Sequence, residues 1–518
     1  MVTRIAFRLR CYHSKFINMT ILSKICITAT AVISLASCKK FLDVNNDPNK
    51  PVSATLPLKA KLPAALVSSV NQEAGQLNQI GAFWGGYWGS TNEGIGSFVD
   101  LKTYNGPAIR HQRDGIPVWE NAFATMLYYQ LIKEEAEAES ALYYAGIAKI
   151  MQGWHFIRLV DIYNAMPFDD ALKGTAVPTP RYEDGKTVYE KSFNLITEGI
   201  SNIKNAAAGT EAGADDILFK GNKTLWAKFG NTIKLRGLIH QSEAGNSAFI
   251  TAEIQKIQQE GSGFLGVGES ALVQPGYLAT AGKLNPFWES YYRNVQGVIT
   301  GNYQDIRPTT FLIDQYQQRN DPRLSQLFVP VNGQYKGVLF GNPNTAPEYS
   351  RANTSPFKGP QENGGKAAGL FKSATQPAVL MGSFESLFLQ AEAAQRGWLS
   401  ASAKDLYENG IKESFKYMEV AASEFEAYNQ QTAVAFNNTV DRIIEQKWLA
   451  INSISSIEAW TDYRRLGVPS IPNSLEAPTP TSRPLRLMYP ETERQTNNAE
   501  TSKMGSDDII KDKIWWDK

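Results

Sequence analysis

The strongest constraint on the fold is a helical apolar period that recurs along most of the chain. Val118, Trp119, Ala122, Phe123, Met126, Leu127 and Leu131 repeat at helical spacing, with acids on the far side. A second helix is expected over about 140–164, with Phe156, Leu159, Val160 and Tyr163 on one stripe. Further helical stretches fall near 187–208, 223–241, 247–260, 382–397, 402–421, 433–452 and 455–466. Short polar joins between them predict stacked helical hairpins. Strands alternating with helices are missing, which disfavours a doubly wound sheet or an α/β barrel. Residues 331–379 break the pattern: seven Gly and five Pro in 49 positions predict loop with a few short strands. The expected architecture is therefore mainly α, with a loop-rich insert at about 261–380.

The N-terminus has a different logic. A basic start followed by an apolar run from Ile25 to Ala36 reads as a signal peptide, residues 1–37. Met19 alone begins a conventional leader, so residues 1–18 read as a start assigned too early. The run ends in Leu35-Ala36-Ser37-Cys38, which resembles a bacterial lipobox. Cleavage before Cys38 would leave its thiol and new amino group to carry lipid, which anchors the mature chain, 38–518, to a membrane. That mature chain is expected to form a single domain.

Inventory excludes several chemistries. All three cysteines (Cys11, Cys26, Cys38) are N-terminal, and beyond them only His111, His155 and His240 remain. No disulfide framework, thiolate metal site or Cys–His nucleophile pair can be assembled from that set, and no metal or cofactor is expected. The formal net charge is +1, but the first 37 residues hold five basic side chains and no acid, so the remainder is acidic by about four charges. A nucleic-acid partner is disfavoured. Gly261-Ser262-Gly263-Phe264-Leu265-Gly266 matches a dinucleotide fingerprint, yet it follows a charged helical stretch and no buried strand. Asp43, Asn45 and Asp47 imitate a calcium loop, but Pro48 and Ala54 occupy its glycine and glutamate positions. Glu134, Glu135, Glu137 and Glu139 read as a solvated helix face.

Two aromatic clusters are the candidate ligand surfaces. Phe83-Trp84-Gly85-Gly86-Tyr87-Trp88-Gly89-Ser90-Thr91-Asn92 sets four rings among three glycines, and Asn285 to Arg293 holds Phe287, Trp288, Tyr291 and Tyr292. Flat rings can face the C–H side of a sugar while Asn or Arg bonds its hydroxyls. Trp84, Tyr87, Trp88, Asn92, Trp288, Tyr292 and Arg307 are the expected ligand-binding residues on this local chemistry.

Longer strings carry a resemblance. Cys38 to Asn45, Trp154-His155-Phe156-Ile157-Arg158-Leu159-Val160-Asp161-Ile162-Tyr163, Asn320-Asp321-Pro322-Arg323-Leu324 and Leu389-Gln390-Ala391-Glu392-Ala393 appear in order. Gln446-Lys447-Trp448 and Glu458-Ala459-Trp460-Thr461-Asp462-Tyr463-Arg464-Arg465 follow, then Arg486, Tyr489-Pro490, Glu493 and Asn497. In this order and spacing the chain resembles the SusD/RagB family of surface nutrient-binding lipoproteins, in its SusD-like branch. The resemblance implies a body of TPR-like hairpins with a loop-rich ligand-binding half. It also implies an outer-membrane, surface-exposed position over a SusC-like TonB-dependent transporter, and capture of glycan without catalysis. Peptide cargo and a surface-tethered glycoside hydrolase are the alternatives. Asp321-Pro322 is expected to start a helix, and Trp448, Trp460 and Arg464 to pack and pair helices.

Overall fold

The computed structural model describes residues 56–517. The signal peptide and Cys38 lie outside the described residues. Leu58–Lys518 cluster as one unit.

The helices the apolar period predicts are present. In chain order the helices begin with α1 (Leu58–Gln72), α2 (Asn78–Trp84), α3 (Val118–Ala138), α4 (Leu142–Tyr163), α5 (Gly185–Asn205) and α6 (Lys223–His240). After them come α7 (Ser247–Glu260), α8 (Pro286–Tyr291), α9 (Thr310–Gln318), α10 (Ser383–Gln395), α11 (Ala403–Tyr417), α12 (Val440–Ala450) and α13 (Ser456–Leu466). Side-chain caps fix several starts: Asp184 accepts from Thr187 N, Asn222 from Leu225 N, and Ser402 from Asp405 N. Hairpin packing is pairwise, α3 on α4, α4 on α5, α5 on α6 and α10 on α11.

The α4–α5 crossing shows why such pairs come close. A Cβ on Gly146 would lie 2.6 Å from the Gly199 carbonyl oxygen, and one on Gly199 would lie 2.7 Å from that of Gly146. α5 buries one stripe, Val188, Tyr189, Ser192, Phe193, Ile196 and Ile200, against it. α4 is buried on nearly every side and is the central helix of the body.

Some elements differ from the sequence expectation. On α3, Tyr129 and Ile132 face the core while Leu127 is exposed, so the buried stripe is rotated from the expected one. α1 and α2 lie in a stretch without a predicted helix, because Pro63 and the glycine-rich aromatic run mask their period. α9 lies inside the expected loop insert and is capped by Thr309, whose hydroxyl accepts from Leu312 N. Around Asp321-Pro322 the helix starts at Leu324, and the Asp321 carboxylate is held by the backbone and guanidinium of Arg323.

Two short antiparallel ribbons complete the loop-rich half: β1 (Trp88–Ser90) with β3 (Ile306–Pro308), and β2 (Ala271–Val273) with β4 (Ala378–Met381). Gly89 sits opposite Arg307 in the first. Gly261 ends α7 in a left-handed conformation at φ +85°, so the fingerprint match is a helix C-terminus with no strand before it. Among the described residues no helix is long and apolar enough to cross a membrane.

The recurring strings meet in the interior as charge. Arg158 of α4 pairs with Glu73 at 3.1 Å and Glu458 of α13 at 2.5 Å, and Glu458 also bonds His240 of α6 at 2.8 Å. Arg465 joins Glu392 of α10 to Asp462, and Lys447 of α12 reaches Asp462 at 2.9 Å. Buried ions persist only when paired, so these side chains tie six helical segments into one arrangement. Trp460 packs on Trp84, and the Arg464 guanidinium lies 3.8 Å from the Trp460 ring centre.

Candidate functional site

The structure separates the seven expected ligand-binding residues by burial. Trp84 is 4% exposed, and its indole donates to the Leu101 carbonyl. Tyr87 and Trp88 are fully buried; Tyr87 donates to the Trp448 carbonyl and Trp88 to the Ser453 hydroxyl. These three rings, expected as part of a ligand surface, lie in the interior instead. Trp84 of α2 packs on Trp460 of α13 and Tyr87 on Trp448 of α12, while Trp88 of β1 packs on Tyr291 and Phe357 and meets Ser453 in the turn between α12 and α13. Tyr292 is also buried, with its hydroxyl donating to Glu362 at 2.8 Å.

Arg307 is interior too. It donates to the carbonyls of Tyr303, Gln304, Ile306 and Arg351 and to the Thr354 hydroxyl. Burial, with no carboxylate in direct contact, lowers its pKa to about 10. Asn92 and Trp288 are half-buried, and these two present surface. The Asn92 amide donates to the Thr345 and Ala346 carbonyls and so holds the 345–346 loop. Trp288 stands edge-on to Tyr292, with centroids 4.7 Å apart, at the start of α8.

Around these two, the loops form a continuous wall. Trp288 touches Tyr292, Tyr292 touches Tyr303 at 5.3 Å, and Arg307 links Tyr303 to the segment that carries Arg351. At the Asn92 end, Arg351 pairs with Asp305, its backbone N–H donates to Glu93, and the Asn92 N–H donates to the Tyr349 carbonyl. The Tyr349 ring is half-buried, and its hydroxyl pKa is raised by burial and then by Glu348. At the Trp288 end, Arg293 lies 5.0 Å from the Tyr292 ring centre and pairs with Glu362. Burial is the leading cause that raises the Tyr292 pKa. The wall thus carries half-exposed rings at both ends and paired donors and acceptors between them. That composition suits a neutral polyhydroxylated ligand. Glu93, Asp305, Tyr349 and Arg351 were not among the expected residues; their only sequence signal is position in or beside a long Gly/Pro-rich loop.

Among the described residues no three His, Cys, Asp or Glu side chains converge to hold a metal ion.

Paired helices bearing a half made of loops and two short ribbons define a helical-hairpin protein. Over residues 60–490 the chain matches the SusD-like model described as starch-binding and associating with the outer membrane, and it belongs to that family. Solved structures share the fold. A chitin-binding SusD homologue from Flavobacterium johnsoniae is 22% identical, with a TM-score of 0.71, covering 88% of this chain and 98% of that one. A SusD homologue from Bacteroides fragilis is 23% identical at TM-score 0.69, covering 89% and 99%. One from Bacteroides uniformis is 20% identical at TM-score 0.68, covering 88% and 99%. No curated protein matches the chain.

Proposed function

We propose that this protein captures glycan at the outer membrane without transforming it and delivers it to a SusC-like TonB-dependent transporter. The carrying observation is the family match over residues 60–490, whose description is starch binding with outer-membrane association. The loop wall between Asn92 and Trp288 is the proposed contact surface. Trp288 and Tyr349 serve as ring platforms, and Asn92 and Arg351 offer hydrogen bonds. Tyr292 and Arg307 hold the wall from beneath, and Trp84, Tyr87 and Trp88 fix the backbone behind it. The chain is tethered through lipid at Cys38 and faces outward.

The test is titration of tryptophan fluorescence with malto-oligosaccharides and chitin oligosaccharides, with each mixture assayed for new reducing ends. Saturable quenching at about mM to µM affinity is expected, with no cleavage. Trp288→Ala and Tyr349→Ala should each weaken binding about fivefold, the equivalent of ~1 kcal/mol per ring platform. Binding of peptides alone would replace the cargo, and new reducing ends would make the protein a hydrolase. Protease shaving of intact cells tests the surface position; a protected protein would refute it.

A further inference from the structure

Buried carboxylates in this protein have cationic partners, with two exceptions among the described residues, Asp216 and Glu413. The others pair with Arg, Lys or His, as Glu253 does with Lys234 at 2.8 Å and Glu392 with Arg465. Asp216 is satisfied without a cation. It accepts from the backbone N–H groups of Leu218, Phe219 and Gly221, the Trp226 indole at 2.8 Å and the Tyr143 hydroxyl.

Glu413 is different. It is 8% exposed, and both of its donors, Gly268 N–H at 2.9 Å and the Ser383 hydroxyl at 2.6 Å, reach the same oxygen, Oε2. No donor reaches Oε1, and Oε1 is not among the fully enclosed unpartnered atoms. It therefore opens to the space that Glu413 lines. That space is a cleft of about 320 Å³ between α11, the β2–β4 ribbon and the 372–377 loop. The volume sits at the small end of the usual range for ligand pockets, about 300–1,000 Å³.

The walls narrow the ligand class. Leu272 and Pro377 supply apolar surface. Lys372 has spent its donors: its ammonium binds the Tyr417 carbonyl, the Gly369 carbonyl at 3.3 Å and Glu419 at 2.8 Å. It also lies 4.7 Å from the Tyr417 ring centre, which occupies a ring face that a sugar would need. Lys416, one helical turn from Glu413, lines the same cleft, is exposed and makes no ion pair. Residues three apart on a helix place their Cβ atoms about 5–6 Å apart. A fixed carboxylate oxygen and a free ammonium from neighbouring turns of one helix, both lining one cleft, complement one small molecule carrying both charges.

We infer that this cleft binds a free α-amino acid, its ammonium on Glu413 Oε1, its carboxylate on Lys416, and an apolar side chain against Leu272 and Pro377. The site is separate from the glycan wall and does not depend on that assignment.

The experiment is isothermal titration calorimetry of the full chain with L-leucine, N-acetyl-leucine, leucinamide and glucosamine. L-leucine is expected to bind. Glu413→Gln should weaken it at least tenfold and Lys416→Met about fivefold. N-acetyl-leucine should show the first loss and leucinamide the second. Leu272→Trp fills the cleft without touching either charge and should abolish binding, which covers the case in which Glu413→Gln unfolds. Trp288→Ala should leave L-leucine binding intact. Silence with L-leucine at millimolar concentration, equal binding of N-acetyl-leucine, or glucosamine binding as tight as L-leucine would each overturn the assignment.

Discussion

Lowering the pH from 7 to 5 should remove a definable part of the stability through one side chain, His155. It sits on α4 at 3% exposure, with Nε2 2.9 Å from the Ser69 hydroxyl, which also contacts the Tyr129 hydroxyl. Burial, and secondly the positive charge of Arg158 one turn away, lower its pKa from 6.5 to about 3. The unfolded chain then binds a proton at His155 more readily than the folded one. The stability this group confers is complete above about pH 6.5 and falls as the pH drops toward 3. Between pH 7 and 5 the loss works out at ~2 kcal/mol, from ~1.4 kcal/mol per pH unit below the unfolded pKa. The assay is urea unfolding of wild type and His155→Gln at both pH values. Gln keeps a partner for Ser69 and cannot take up the proton. His240 titrates in the opposite sense: its raised pKa gives stability present below pH 6.5 and lost as pH rises through the folded value. It is common to both proteins and drops out of the difference. The stability advantage of wild type over the variant should shrink by ~2 kcal/mol at pH 5. An unchanged difference would refute burial of a neutral imidazole.

Other expectations concern packing and charge. Glu458→Gln leaves Arg158, Arg236 and His240 short of a buried counter-charge and should cost about 3–5 kcal/mol in urea unfolding. In the same variant His240 should release its proton at lower pH by NMR, since Glu458 is one of the two acids that raise its pKa. Gly81→Ala would place a Cβ 2.1 Å from Ile457 N and 2.2 Å from the Ser456 carbonyl carbon. Because the obstacle is backbone, the melting curve should show at least the usual overpacking penalty, ~1–3 kcal/mol. Trp84→Ala should cost about 3–5 kcal/mol of stability while the folded fraction keeps its glycan affinity, the reverse of Trp288→Ala.

The residues Arg158, Glu392, Lys447, Glu458, Asp462 and Arg465 stand in the strings that carry the family resemblance, and they meet as two buried ion clusters that share α13. Most helix positions and the family were therefore legible in the chain itself, α1, α2 and α9 excepted. Apolar period is a local property, and ion pairs shared by four helices leave their mark at each of them. Which rings face outward was not legible. Trp88 and Trp288 stand in similar aromatic company, yet one is sealed between Phe83, Tyr291 and Phe357 and the other is half-open on α8. Exposure depends on what packs from hundreds of residues away, such as Ser453 against Trp88. The open oxygen of Glu413 is likewise a tertiary fact. Within α11 it is one acid among several, and only the approach of Gly268 and Ser383 turns its free side into a cleft. The sequence by itself determined most of the helices and the family. The tertiary structure alone decided which side chains meet solvent, because burial is set by long-range packing that no local pattern encodes.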